Sequence, residues 1–202
     1  MKLYYAPGTC ALASHIALEE TGQPFEIDRI NVPTKTTASG EDFMQINPKG
    51  YVPAVKLDDG NILTEGAVIL QYIADQNPNT GLAPMPGTME RYRLQEWLNF
   101  IGSEVHKTYS PMFNKAVAED YKVIARTLLA KRLSYVEAEL ADKLFLMGDT
   151  FTIADAYLFT VLRWSERVNF DLKPFPNIQS YLARIAVRPS VQAAMKAEGL
   201  IP

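Results

Sequence analysis

"KLYYAPGTCALASHIALEETG", residues 2–22, carries a strand, a turn and a helix in sequence. Lys2–Tyr5 is a short apolar strand, Pro7-Gly8 is a turn, and from Cys10 the Ala- and Leu-rich run reads as a helix. Gly22 stops it, because glycine takes the left-handed backbone past a helix end at least cost. "FEIDRINV" (25–32) is the next strand, and strand, helix, strand in this order predicts a parallel βαβ unit. "AVKLDDGNIL" (54–63) is a hairpin turned by Asp58-Asp59-Gly60, and "GAVILQYIADQN" (66–77) is a helix that ends before Pro78. Five prolines and glycines, Pro78, Gly81, Pro84, Pro86 and Gly87, then exclude regular structure.

The reading is therefore a small α/β domain over 1–78, a linker over 79–87 and an all-α domain over 88–202. The order β-α-β-α-β-β-α in the first part is close to the thioredoxin topology, although spacing alone leaves other small α/β folds open. "TMERYRLQEWLNFIGSEVHK" (88–107) and "EDYKVIARTLLAKRLSYVEAELAD" (119–142) are long helices. In "GDTFTIADAYLF" (148–159), Thr152 and Asp155 form a capping signature, so Asp155 is structural rather than a catalytic acid.

A net charge of -3 with both signs mixed gives no basic surface for nucleic acid or an anionic membrane. A single cysteine excludes an internal disulfide and a Cys-x-x-Cys dithiol, and no apolar run is long enough to span a membrane. The expectation is a soluble, cytoplasmic protein without a metal site.

Cys10 is the first candidate site residue. A lone cysteine is often only a small buried hydrophobe. Just after "PGT" it instead meets the unpaired amides and dipole of a helix start, which favour an anionic sulfur, its own or that of a bound thiol. Lowering a thiol pKa from about 8.5 to about 6.5 raises the thiolate fraction at pH 7 from roughly 3% to roughly 75%. The same shift costs about eightfold in intrinsic nucleophilicity, so the net gain is about threefold. Most of a rate enhancement at such a site must come from holding the reactants together and drying the pocket. Asn99, Ser103 and His106, with Lys107 at the border, fall on one face of an α-helix, opposite Leu94, Leu98, Ile101 and Val105. His15 lies among Ala, Ile and Leu and reads as structural.

"YYAPGTCA" (4–11), "GYVPAVKLDDG" (50–60), "LTEGAVILQYIAD" (63–75) and "GDTFTIADAYLF" together resemble the cytosolic glutathione transferases, in order over the full chain. Cys10 with His106 and Lys107 is similar to the bacterial beta class. The resemblance implies a thioredoxin-like domain that holds glutathione as co-substrate, an all-helical domain that shapes the site for a hydrophobic electrophile, and a homodimer. It implies that Pro53 is cis and that Val52 presents its backbone to the cysteinyl group of glutathione. Glu65 and Gly66 would meet the γ-glutamyl end, and Lys35 the glycyl carboxylate. Asn99, Ser103, Glu104, His106 and Lys107 would line the glutathione site, some of them from the partner subunit, with His106 hydrogen-bonding the sulfur or Cys10. Tyr109, Phe113 and Trp164 are candidates for the co-substrate pocket. Two departures stand out: the family usually has Ser where Gly66 stands, and glutamine where Tyr51 stands. Conjugation is the leading activity; a glutathione-dependent thiol-disulfide reductase working through Cys10 and a non-catalytic binder are the alternatives.

Overall fold

A computed structural model describes all residues 1–202. The chain divides into two units, Met1–Ala83 with Val187–Pro202, and Pro84–Ala186. The C-terminal sixteen residues thus belong with the first unit, not with the helical domain to which the sequence reading assigns them.

In the first unit five strands, β1 (Lys2–Tyr5), β2 (Glu26–Asn31), β3 (Thr36–Thr37), β4 (Ala54–Lys56) and β5 (Ile62–Thr64), form one sheet in the order β3-β2-β1-β4-β5. β1 and β2 are parallel with Leu3 opposite Ile27, as the βαβ pattern requires. β4 and β5 are the antiparallel hairpin, with Val55 opposite Leu63. Tyr4, Ile30 and Ala54 bury one sheet face against Phe43 of the short helix α2 (Phe43–Ile46). Neighbouring residues point to the other face. There Leu3 and Val55 are buried, and β1 and β4 are backed by α1 (Ala11–Thr21) and α3 (Gly66–Gln76), which pack on each other. Gly22 caps α1 at φ 65, in the left-handed region expected of it.

The last helix, α10 (Pro189–Ala197), packs along α1 through buried Val191, Ala194 and Met195. Arg188 grips Glu20 with two hydrogen bonds of 2.9 and 3.0 Å, and Ser190 bonds the same carboxylate. That packing draws the C-terminus into the first unit.

In the second unit follow α4 (Met89–Phe100), a π-helical segment (Ile101–His106), α5 (Lys107–Phe113), α6 (Glu119–Glu139), α7 (Ile153–Leu162), α8 (Trp164–Arg167) and α9 (Pro176–Ala186). All ten residues of α7 are buried, which fits a helix apolar on every side. Its start is the capping box read from the sequence. Thr152 N–H and Oγ1–H donate to Asp155 at 2.8 and 2.9 Å, and Leu146 N–H and Tyr181 Oη–H add two further donors. Asp155 is thereby a structural hub. No helix of the chain is long and apolar enough to cross a membrane.

Candidate active site

Cys10 occupies the N-cap position of α1, with its Sγ donating to the Val52 carbonyl at 3.3 Å. The fold brings these two together because β1 runs beside β4, and Val52 precedes β4 across the cis Val52–Pro53 bond. A thiolate has no proton with which to make that bond. The helix start differs from the expectation in one respect. Leu12 and Ala13 N–H donate to the Thr9 and Cys10 carbonyls, and Ala11 N–H reaches Thr9 Oγ1 at 3.4 Å. Cys10 already has helical geometry, φ -60 and ψ -17, and the Thr9-Cys10 turn uses these amides itself, so less of the dipole's positive end is left for a sulfur anion.

Behind this turn, Gly8 N–H donates to Glu198 Oε2 at 2.8 Å, and the other oxygen of Glu198 lies 3.1 Å from His15 Nδ1. Both side chains are fully buried. His15 is structural, as the sequence reading has it. Glu198, nearly two hundred residues from Cys10, is a partner that reading missed; only its place after an amphipathic C-terminal helix could have marked it.

Glu65 and Lys35 share a property that no sequence pattern revealed: both are non-glycine residues at positive φ, 70 and 56. Such backbones cost on the order of 1–3 kcal/mol and cluster at ligand sites. Glu65 is exposed at the start of α3, paired with Lys49 Nζ at 2.6 Å, while Lys35 Nζ donates to the Gly50 carbonyl at 2.8 Å. Lys49 is a second residue the sequence reading passed over. Its bridge to Glu65 is solvent-exposed and so contributes little to stability, which leaves it easy to exchange. At Gly66 an added Cβ would meet only Pro53, at 3.7 and 3.9 Å, an ordinary contact.

In the helical unit the polar stripe splits. Asn99, Ser103 and Lys107 are exposed, with Ser103 Oγ donating to the Asn99 carbonyl at 2.9 Å. His106 instead turns into an aromatic cluster. Its Nδ1 lies 2.8 Å from Tyr157 Oη, and its ring meets Trp164 edge-on at 4.8 Å. The π-helical segment is the cause. Its i→i+5 turns are wider than those of an α-helix, so residues four apart stay aligned and one three residues on rotates away. Leu94, Leu98, Ile101 and Val105 are buried as expected. Glu104 is held by Arg132 through bonds of 2.9 and 2.8 Å.

The co-substrate candidates also separate. Phe113 is exposed and packs on Trp164. Trp164 itself is largely buried, between His106, Tyr109 and Phe113. Tyr109 is fully buried, its hydroxyl 2.6 Å from Ser165 Oγ, and burial pushes its phenol up to about 12. It supports this cluster from beneath and has no surface to offer a co-substrate, which corrects the expectation for it.

Burial, and then the neighbouring Lys107 ammonium, hold the His106 imidazole down from 6.5 to about 4. The unfolded chain therefore takes up a proton between these values that the native protein refuses. Stability from this group is complete above pH 6.5 and is lost as the pH falls through about 4, a span on the order of 3 kcal/mol. In His106→Gln the urea midpoint is expected to fall less between pH 6.5 and 4 than in the parent. Equal slopes would contradict a buried neutral imidazole.

The chain is thus a thioredoxin-like module with a thiol at its first helix, followed by an all-helical unit. Residues 1–75 match the model of the glutathione S-transferase N-terminal domain and residues 100–189 that of the C-terminal domain. The chain belongs to the glutathione S-transferase family. It is 46% identical over 200 residues to glutathione S-transferase GstA of Escherichia coli O157:H7, covering 99% of this chain and all of that one. Among solved structures, a sphingomonad glutathione S-transferase complexed with glutathione superposes with a TM-score of 0.96 at 46% identity, each chain covered fully. The bacterial beta class glutathione S-transferase of Sphingomonas chungbukensis gives 0.96 at 47%, again over both chains in full.

Proposed function

We propose that the chain is a beta-class glutathione transferase in which the first unit seats reduced glutathione against Val52, with its sulfur at the start of α1. The Val52 backbone pairs with the cysteinyl unit, as an extended peptide pairs with an open strand edge. The observation that carries this reading is the 3.3 Å contact between Cys10 Sγ and the Val52 carbonyl, which sets a thiol beside that edge. Glu65 receives the α-amine of glutathione in exchange for Lys49, the Gly66 amide bonds the α-carboxylate, and Lys35 answers the glycyl carboxylate. The family resemblance adds Asn99, Ser103, Glu104 and Lys107 as polar contacts to glutathione, some of them from the partner subunit, and gives His106 a hydrogen bond toward the sulfur or Cys10. Phe113, exposed and backed by Trp164, offers an apolar surface for the electrophile.

In the reaction the glutathione thiol gives up its proton to solvent, the sulfur attacks the electrophilic carbon, a C–S bond forms and the leaving group departs with the bonding pair. With part of the α1 start already bonded, positioning and exclusion of water supply most of the rate. Detoxification of apolar electrophiles in the cytoplasm by a homodimer fits this chemistry.

Steady-state conjugation of glutathione to an activated aryl halide tests the proposal: saturation in both substrates is expected, and no turnover would overturn it. His106→Ala should lower kcat/KM, and an unchanged value would refute the part given to that side chain. The reductase alternative requires Cys10 thiolate to attack oxidised glutathione, forming a mixed disulfide and expelling one glutathione thiolate; intact mass then shows one added glutathione per chain. Gly66→Ser, sterically permitted, adds a hydroxyl donor for the α-carboxylate. It is expected to tighten glutathione about threefold to tenfold by calorimetric titration, roughly the worth of one hydrogen bond.

A further inference from the structure

We propose that Tyr157 is a positioning residue that fixes His106 as the tautomer protonated at Nε2, so that this N–H is the ring's available donor. The proposal rests on the reading of His106 given above, and its starting point is the 2.8 Å contact between Tyr157 Oη and His106 Nδ1.

At that distance one of the two groups must donate to the other. A phenolic O–H is a good donor and a poor acceptor, because its oxygen lone pair is delocalised into the ring. The unprotonated nitrogen of a neutral imidazole is a good acceptor. The phenol therefore donates to Nδ1, and the ring proton resides on Nε2, since the bond made by one ring nitrogen sets the state of the other. The imidazole is neutral at ordinary pH, so a doubly protonated ring does not arise. No group of the chain bonds Nε2 in this structure.

The surroundings hold both partners. Tyr157 sits midway along α7, every residue of which is buried, so the phenol has little room to swing. The His106 ring stands perpendicular to the Tyr157 ring, 87° at 5.9 Å, and is wedged edge-on against Trp164 at 73°. The π-helical segment that ends at His106 turns the imidazole toward α7.

The test is the tautomer itself, read in the full-length ¹⁵N-labelled protein by two-bond ¹H–¹⁵N correlation at pH 7.5. The chain has two histidines, so His106→Gln assigns the signals. The expected result is an unprotonated Nδ1 and a protonated Nε2 in the parent, moving to the averaged shifts of a tautomer mixture in Tyr157→Phe. A protonated Nδ1 in the parent would overturn the proposal without recourse to any variant, as would an identical pattern in Tyr157→Phe. Loss of this bond should also lower kcat/KM for conjugation about threefold to tenfold, the worth of one hydrogen bond. If the tautomer shifts as expected while kcat/KM does not change, the lock by Tyr157 stands and it is the role of His106 toward the sulfur that fails.

Discussion

Asp155→Ala is expected to lower the stability of the helical unit by about 3–5 kcal/mol, the range for breaking a buried charged hydrogen-bond network. Four donors converge on this carboxylate: the Leu146 and Thr152 amides, the Thr152 hydroxyl and the Tyr181 phenol. Alanine leaves all four without their acceptor where water does not reach, at about 1–3 kcal/mol for each buried group left unpaired, less whatever relaxation recovers. Burial pushes the Asp155 carboxyl above its ordinary range, against the pull of those same donors. The damage reaches beyond one helix start, because Asp155 joins α7 to the loop before it and to α9. Urea unfolding followed by circular dichroism measures it, with Thr152→Ser as a control that keeps the hydroxyl. A loss below about 1 kcal/mol for Asp155→Ala would contradict the hub, since typical single substitutions cost that much without one.

Glu198→Ala should cost about 2–4 kcal/mol, because it removes the buried carboxylate that the Gly8 amide and His15 share. The effect extends to activity. Gly8 belongs to the turn that delivers Cys10, so a loosened turn misplaces the sulfur site, and small errors of placement are expensive in rate. Glu198→Gln keeps an acceptor for the Gly8 amide and should recover part of both losses. An Ala variant as stable and as active as the parent would contradict this role.

The first seventy-eight residues were legible because their signals are local. Gly22 after an apolar run, Asp58-Asp59-Gly60 between two strands and Pro78 after a helix each act within a few residues of themselves, and the elements follow them. Thr152 and Asp155 form a pair three residues apart, and were equally plain. What escaped the sequence reading is either long-range or a departure from regular geometry. Glu198 and Gly8 are 190 residues apart, joined only when α10 packs on α1. The polar stripe was read at α-helical spacing, and Asn99 and Ser103 keep it, but the π-helical segment carries His106 inward to a tyrosine that no spacing rule connects to it. Tyr109 looked like pocket lining because aromatic residues on a helix carry no mark of which side is inner; its bond to Ser165 decides that. Cys10 was recognised by its turn, but the turn's own use of the α1 amides could be seen only in the backbone.

The proposed function requires glutathione to lie against Val52 with its sulfur at the start of α1. Titration of the ¹⁵N-labelled protein with reduced glutathione, followed by amide chemical shifts, tests this most directly. The largest saturable shifts are expected at Val52, at Gly66 and at the Thr9-Cys10 turn, with Lys49 released from Glu65. Saturable binding that leaves those amides unmoved would contradict it.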